Sequence, residues 1–169
     1  MFLDEMGVLL GLMRDYGRSQ KGERLYAKKP FYRGERTTVI GAITQEKVLA
    51  LEMIGKSMNG DDFKQFIQKK VVPELWEGAV IVMDNLSTHK VAGIKEMVEG
   101  AGARIVYLSG YSPEFNPIEH LWWELKAFVR SFVPKSKKVV EDLLRLAVKY
   151  LVSSVQLRNY FAHCCYCTS

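Results

Sequence analysis

The sequence predicts an α/β fold: a mixed β-sheet flanked by helices. Three observations point to it. Strand-like apolar runs alternate with helix-like amphipathic runs through the middle of the chain, as parallel strands joined by helices require. The earlier runs are instead joined by short polar turns, the mark of antiparallel pairing. At 169 residues and 48% hydrophobic content, the chain suits one domain with a real core.

Taken in order, residues 1–13 read as a short strand, a turn at Gly7 and a second strand, "VLLGLM". Residues 14–35 form a long polar and basic loop carrying Arg, Lys, Tyr and Phe. Such a loop is either a solvated connection or a contact for phosphates and bases. "RTTVIGAIT" (36–44) and "KVLALEMI" (47–54) form a hairpin. Asp61 or Asp62 then caps a helix with Phe63, Phe66, Ile67 and Val71 on one face, which Pro73 ends or bends. "GAVIVMD" (78–84) is continuously apolar, as a strand covered on both faces would be. Ser87 or Thr88 caps a second helix bearing Val91, Ile94, Met97 and Val98, stopped by Gly100 and Gly102. "ARIVYL" (103–108) is a further strand.

The segment "YSPEFNPIEHLWWELKAFVR" predicts a long helix. Asn116 suits its cap and Pro117 its first position. Ile118, Leu121, Trp122, Leu125, Phe128, Val129 and Phe132 form one apolar stripe. Glu119, Trp123, Lys126 and Arg130 cluster on another face. A last helix, about Lys138–Ser153, packs through Val139, Leu143, Leu146, Val148 and Leu151. These boundaries give a body of residues 1–135 and a helical extension of 136–169 packed on it.

The net charge of +5 is compatible with a polyanionic partner. No apolar run reaches the roughly 18 residues of a membrane span, and "MFLDEMG" is no signal peptide. A soluble, cytoplasmic protein is expected. Cys164, Cys165 and Cys167 crowd the C-terminus beside His163. An odd, clustered set is no disulfide framework, and neighbours this close seldom supply a whole metal shell. An ordinary reduced tail is the simpler reading.

Three acids share a pattern. Asp4 follows a short apolar run, Asp84 ends a buried one, and Glu119 opens a helix. Taken singly, Asp4 is a surface acid, Asp84 a turn former and Glu119 the third-position acid of a capping box. Taken together, a carboxylate triad can hold two divalent cations for phosphodiester chemistry.

The stretches "FLDEMG" (2–7), "VIVMDNLSTHK" (80–90) and "YLSGYSPEFNPIEHLWWELK" (107–126) resemble the catalytic domain of DDE/D transposases of the mariner-like superfamily, in particular its bacterial insertion-sequence branch. The tail "LRNYFAHCCYC" resembles the end of such proteins. The resemblance implies a ribonuclease H-like fold and metal-dependent DNA cleavage at transposon ends, followed by strand transfer into target DNA. It implies Asp4, Asp84 and Glu119 as catalytic metal ligands for two Mg²⁺ or Mn²⁺ ions. Asn85, His89 and Asn116 match positions lining the same site, as supporting residues or DNA contacts, with Lys126 and Arg130 further along the helix. It implies double-stranded DNA as partner and a homodimer on it. Family members carry an N-terminal helix-turn-helix domain. None precedes Asp4, so that domain is expected on a separate polypeptide or upstream frame, unless this is a truncated copy. Two other functions stay open: a catalytically idle remnant that only binds or regulates DNA, and a nuclease of the same fold without strand transfer. The short run before Asp4 is the expected weak point, barely long enough to hold the acid in place.

Overall fold

A computed structural model of the protein describes residues 1–11, 16–26, 28, 36–110 and 112–166. Its centre is a five-stranded sheet in the order β3-β2-β1-β4-β5. Strands β1 (Phe2–Leu9), β2 (Arg36–Ile43) and β3 (Val48–Ile54) are antiparallel neighbours. Strands β4 (Val80–Met83) and β5 (Arg104–Tyr107) join parallel to β1 and to each other. The sheet is therefore mixed, as expected.

The pleat sorts the core into two layers. Phe2, Met6 and Val8 of β1 and Val39 and Ile43 of β2 face the C-terminal helices. These are α3 (Ile118–Phe132), α4 (Lys137–Leu151) and α5 (Ser154–His163). Leu3, Ile40, Ala42, Ile81 and Met83 face the other way, toward α1 (Gly60–Phe66) and α2 (Ile94–Gly100).

Several local expectations are corrected. Gly7 is no turn: β1 runs unbroken for eight residues, paired with β2 along its whole length. The Arg36 guanidinium occupies the space a Cβ at position 7 would take, so glycine serves a close approach there. The first strand is also not too short, because it continues five residues past Asp4. Asn59, not Asp61 or Asp62, caps α1. Its side chain accepts from Asp62 N at 2.8 Å, and Asp62 accepts from Asn59 N at 3.2 Å. Asn59→Ala is expected to cost about 1 kcal/mol, read as a shift in urea midpoint at unchanged slope. A midpoint at the wild-type value would remove the cap's role. Phe63, Phe66, Ile67 and Val71 are buried as expected, but the helix loosens to a π-helical turn at Ile67–Val71 before Pro73.

Ser87 and Thr88 do not cap α2. They belong to a 3-10 turn, Ser87–Lys90, and the helix starts only after Gly93. Asn116 does not cap α3 with its side chain either. The α3 stripe is buried at Ile118, Leu121, Trp122, Leu125 and Val129, while Phe132 lies exposed at its end. On α4 the buried face is Val140, Leu143, Leu144 and Ala147, and Val139, Leu146 and Leu151 are exposed. Both sets have helical spacing, and contact with the sheet-facing layer decided between them. Helix α5, unforeseen as a separate element, starts with Ser153 in a capping box with Gln156.

The C-terminal residues pack back on the sheet. Tyr166 packs against Phe2 in a tilted ring pair, centroids 4.8 Å apart, and its hydroxyl donates to Phe115 O at 2.9 Å. Cys164 is buried and Cys165 exposed, and both are free thiols. Cys167 lies outside the described residues, as does much of the 14–35 loop. Among the described residues no helix is long and apolar enough to cross a membrane.

Candidate active site

The register of the sheet builds the site. Phe2 of β1 pairs in parallel with Val82 of β4. Two residues further along the chain from each stand Asp4, on β1, and Asp84, just past the end of β4. Adjacent strands lie roughly 4.8 Å apart, so the two acids are brought side by side from positions far apart in sequence. By alternation both share the α3 side of the sheet, with Phe2, Met6 and Val82. Helix α3 begins over this edge and brings Glu119 in its first turn. Asp4, Asp84 and Glu119 line one open pocket of about 370 Å³ with Asn85 and Asn116. Its far wall is the loop after β5, from Leu108 to Pro113, of which Tyr111 lies outside the described residues.

Each acid has a distinct environment. Asp4 is buried, and Trp122 Nε1 donates to its Oδ2 at 3.1 Å. The indole reaches it because β2 carries Gly41 directly opposite Asp4. A Cβ at Gly41 would stand 2.8 Å from Trp122 Cη2. Burial, then repulsion from Glu5 and Glu119, pushes the Asp4 carboxyl up to about 8. Asp84 caps its own turn, with Oδ1 accepting from Leu86 N at 3.3 Å. The turn-former reading of Asp84 is thus correct but incomplete. Burial also raises the Glu119 carboxyl; Lys126 opposes this, and repulsion from Asp84 and Glu5 adds to it.

The capping-box explanation of Glu119 does not hold. The helix is preceded by Pro117, which has no N–H to offer, and no side chain caps it. Glu119 N instead donates to Asn116 O at 3.1 Å, leaving its carboxylate to the pocket. Asn116 Oδ1 is buried without a hydrogen-bond donor among the described residues.

His89 lies behind the pocket, fully buried and stacked on Phe63 at 4.4 Å. Its Nδ1 is 2.6 Å from Asp84 Oδ1 and its Nε2 is 2.9 Å from Glu5 Oε2. Burial works against a charge on this ring. The hydrogen bonds to the two carboxylates outweigh it and push the imidazole up to about 10. Further down α3, Trp123 is 70% exposed, Lys126 is half-buried, and Arg130 keeps a buried Nε. Lys126 acts on Glu119 through its charge, but neither cation lines the pocket.

Two residues of this neighbourhood escaped the sequence reading. Glu5 follows Asp4 on a strand, so the pleat sends it to the opposite face, where only the fold brings His89. Trp122 was legible as core, but not as the donor to Asp4. The available signal was polarity: a buried Trp needs an acceptor for its N–H.

All ligating atoms on offer are oxygens, the choice of Mg²⁺ or Mn²⁺. Asn116 Oδ1 adds an acceptor with no donor among the described residues, and burial with added repulsion raises the Asp4 and Glu119 carboxyls by disfavouring a charge that a cation would compensate. The residues therefore fit a divalent ion by chemistry. Although the three acids line one pocket, among the described residues no three His, Cys, Asp or Glu side chains are gathered closely enough to share one ion. The same holds for His163, Cys164 and Cys165.

Among solved structures, the chain is similar to a Mos1 transposase paired-end complex with the left transposon end, at 15% identity and a TM-score of 0.71, covering 95% of this chain and 50% of that one. It is similar to the Mos1 mariner paired-end complex with Mn at 17% identity and a TM-score of 0.72, over 98% and 52% of the two chains. Against the catalytic domain of Mos1 mariner transposase the values are 14% identity and 0.65, over 95% and 74%. The chain spans about half the length of the first two, and the likeness shows a shared ribonuclease H-like fold. No curated protein matches it in sequence. A family model described as DDE superfamily endonuclease matches residues 1–140, from before Asp4 to beyond Glu119. With most of its length under that model, and its three acids around one pocket, the chain belongs to the DDE superfamily endonuclease family.

Proposed function

We propose that this chain is the catalytic domain of a transposase, cutting DNA at transposon ends and joining the freed 3′-hydroxyl to target DNA. The observation that carries this reading is the parallel register that sets Asp4 beside Asp84, with Glu119 lining the same pocket. In this reading Asp4, Asp84 and Glu119 hold two Mg²⁺ or Mn²⁺ ions, and Asn116 Oδ1 offers a further oxygen. Such ions supply Lewis-acid activation of a phosphodiester and of the attacking water or hydroxyl. The solved neighbours whose names include Mn and Mg support the choice of metal.

The residues around the acids have their own tasks. Trp122 holds one oxygen of Asp4. Asn85 and Asn116, at the pocket wall, orient groups that enter it. Trp123 and Lys126, along the same helix, meet the DNA outside the pocket. Arg130, with its buried Nε, follows at their end. The partner is double-stranded DNA, engaged by a homodimer, with end recognition supplied by a helix-turn-helix domain. Residues 1–135 serve as the catalytic body and 136–169 as an extension, supported by the core that α4 and α5 share with β1 and α3. The setting is the cytoplasm, where the DNA is.

The test is cleavage and joining of a transposon-end duplex in Mg²⁺ or Mn²⁺, with the DNA-recognition part supplied. Wild type is expected to give both cut and joined products. Asp84→Ala should lower the rate about a thousandfold, on the order of 4 kcal/mol in barrier. Equal activity in the two proteins would overturn the reading. Cut products without joined ones would indicate a nuclease lacking strand transfer.

A further inference from the structure

Glu5 is an acid beside Asp4 that the proposed function leaves without a task. It sits on β1 next to Asp4, but the pleat turns it to the other face, the side of α1. There its Oε2 meets His89 Nε2 at 2.9 Å, across 84 positions of sequence. The opposite ring nitrogen, Nδ1, meets Asp84 Oδ1 at 2.6 Å. One imidazole thus bridges a carboxylate on β1 and another just past the end of β4.

The bridge is built rather than incidental. The ring has no solvent exposure and lies face to face with Phe63, at 4.4 Å and an interplanar angle of 27°. Its backbone is fixed by the 3-10 turn, where His89 N donates to Leu86 O at 3.1 Å. The Tyr107 hydroxyl approaches His89 O at 3.4 Å. A ring so enclosed cannot turn to find other partners.

Asp84 needs such a partner. It stands one residue beyond the last residue of β4, Met83. Among the described residues, its one other hydrogen bond to the carboxylate is the long one from Leu86 N, also to Oδ1. Among the described residues nothing donates to Oδ2. A group held by one oxygen from behind presents the other forward. Ligating side chains elsewhere are commonly oriented by such outer hydrogen bonds.

We infer that Glu5 and His89 form a positioning pair, in which Glu5 anchors the His89 ring and the ring holds Asp84 Oδ1 so that Oδ2 faces the pocket. The inference rests on the proposed function for its purpose, since a positioned Asp84 matters to a metal ligand. Its geometry does not depend on that reading.

Two readouts separate them. The first is the Asp84 χ1 rotamer in EDTA, from three-bond NMR couplings to Cγ. The second is Mn²⁺ affinity by calorimetry. Wild type is expected to show one rotamer. Glu5→Ala should average the rotamer and weaken Mn²⁺ binding by about 10–100-fold. Glu5→Gln keeps an acceptor for the ring, so it should restore a single rotamer and bind within about threefold of wild type. His89→Asn is run beside them, with the same expectation as Glu5→Ala, in case the alanine variant does not fold. Wild-type couplings and affinity in a folded Glu5→Ala or His89→Asn protein would overturn the inference. If wild type itself binds no Mn²⁺, the functional reading fails, and the couplings alone then decide for or against the pair.

Discussion

Asp4→Asn is expected to abolish DNA cleavage and yet make the protein more stable. The amide keeps an oxygen for the Trp122 N–H but gives up the charge. Asp4 titrates near 3.8 in an unfolded chain and at about 8 in the folded one, because it is buried and feels the charges of Glu5 and Glu119. Between those values the folded chain keeps a proton that the unfolded chain has released. Stability therefore falls as pH rises from about 4 to about 8 and levels off above. Asparagine does not titrate, so its advantage over wild type should be absent near pH 4 and grow to a few kcal/mol, in order of magnitude, by pH 8. His89 weakens the fold as pH rises toward about 10 in both proteins, so the difference isolates Asp4. Thermal unfolding across this pH range in EDTA measures it. A difference that stays constant with pH would remove the charge argument. The expected trade follows from a site that gathers like charges: it is costly to fold without a counter-ion, which is what a metal ligand requires.

Trp122→Ala should be the most destabilising single change in the α3 layer, by about 3–5 kcal/mol. The side chain is fully buried and spans from α3 to the space above Gly41. Trp122→Phe separates packing from hydrogen bonding. Phenylalanine fills most of the volume, but leaves Asp4 Oδ2 without its donor, at a cost of about 1–3 kcal/mol. Urea denaturation at one pH ranks the three proteins. If Trp122→Phe is as stable as wild type, the indole is only a core residue. If it is intermediate, the same ring closes the core and holds an acid of the site.

Asp4 and Glu119 show how the fold turns ordinary positions into a site. Asp4 looked precarious in the sequence because few residues precede it. The eight-residue ladder to β2 secures it instead, and pairing is a property of the partner strand. Glu119 resembled a capping acid because Asn116 stands three residues before it. The chain places Pro117 at the helix start, and the asparagine side chain stays buried beside the pocket.

What local pattern alone could decide was the alternation of strands and helices, the hairpin of β2 and β3, the apolar stripe of α3 and the three acids at element ends. Each depends on periodicity or punctuation within about twenty residues, which a chain carries in its own order. The motif stretches around those acids also resembled a known family, and the family match agrees. Which helical face of α4 is buried, where α2 begins and which residue caps α1 were settled by packing, because several residues there satisfy the same local rule. The neighbours of the acids were settled only in three dimensions. The parallel register of β1 and β4 set Asp4 beside Asp84. The pleat sent Glu5 away from its neighbour to His89, and Gly41 left room for Trp122 to reach Asp4. Those contacts join positions about 80 to 120 apart, where no local preference acts and only the folded sheet can choose the partner.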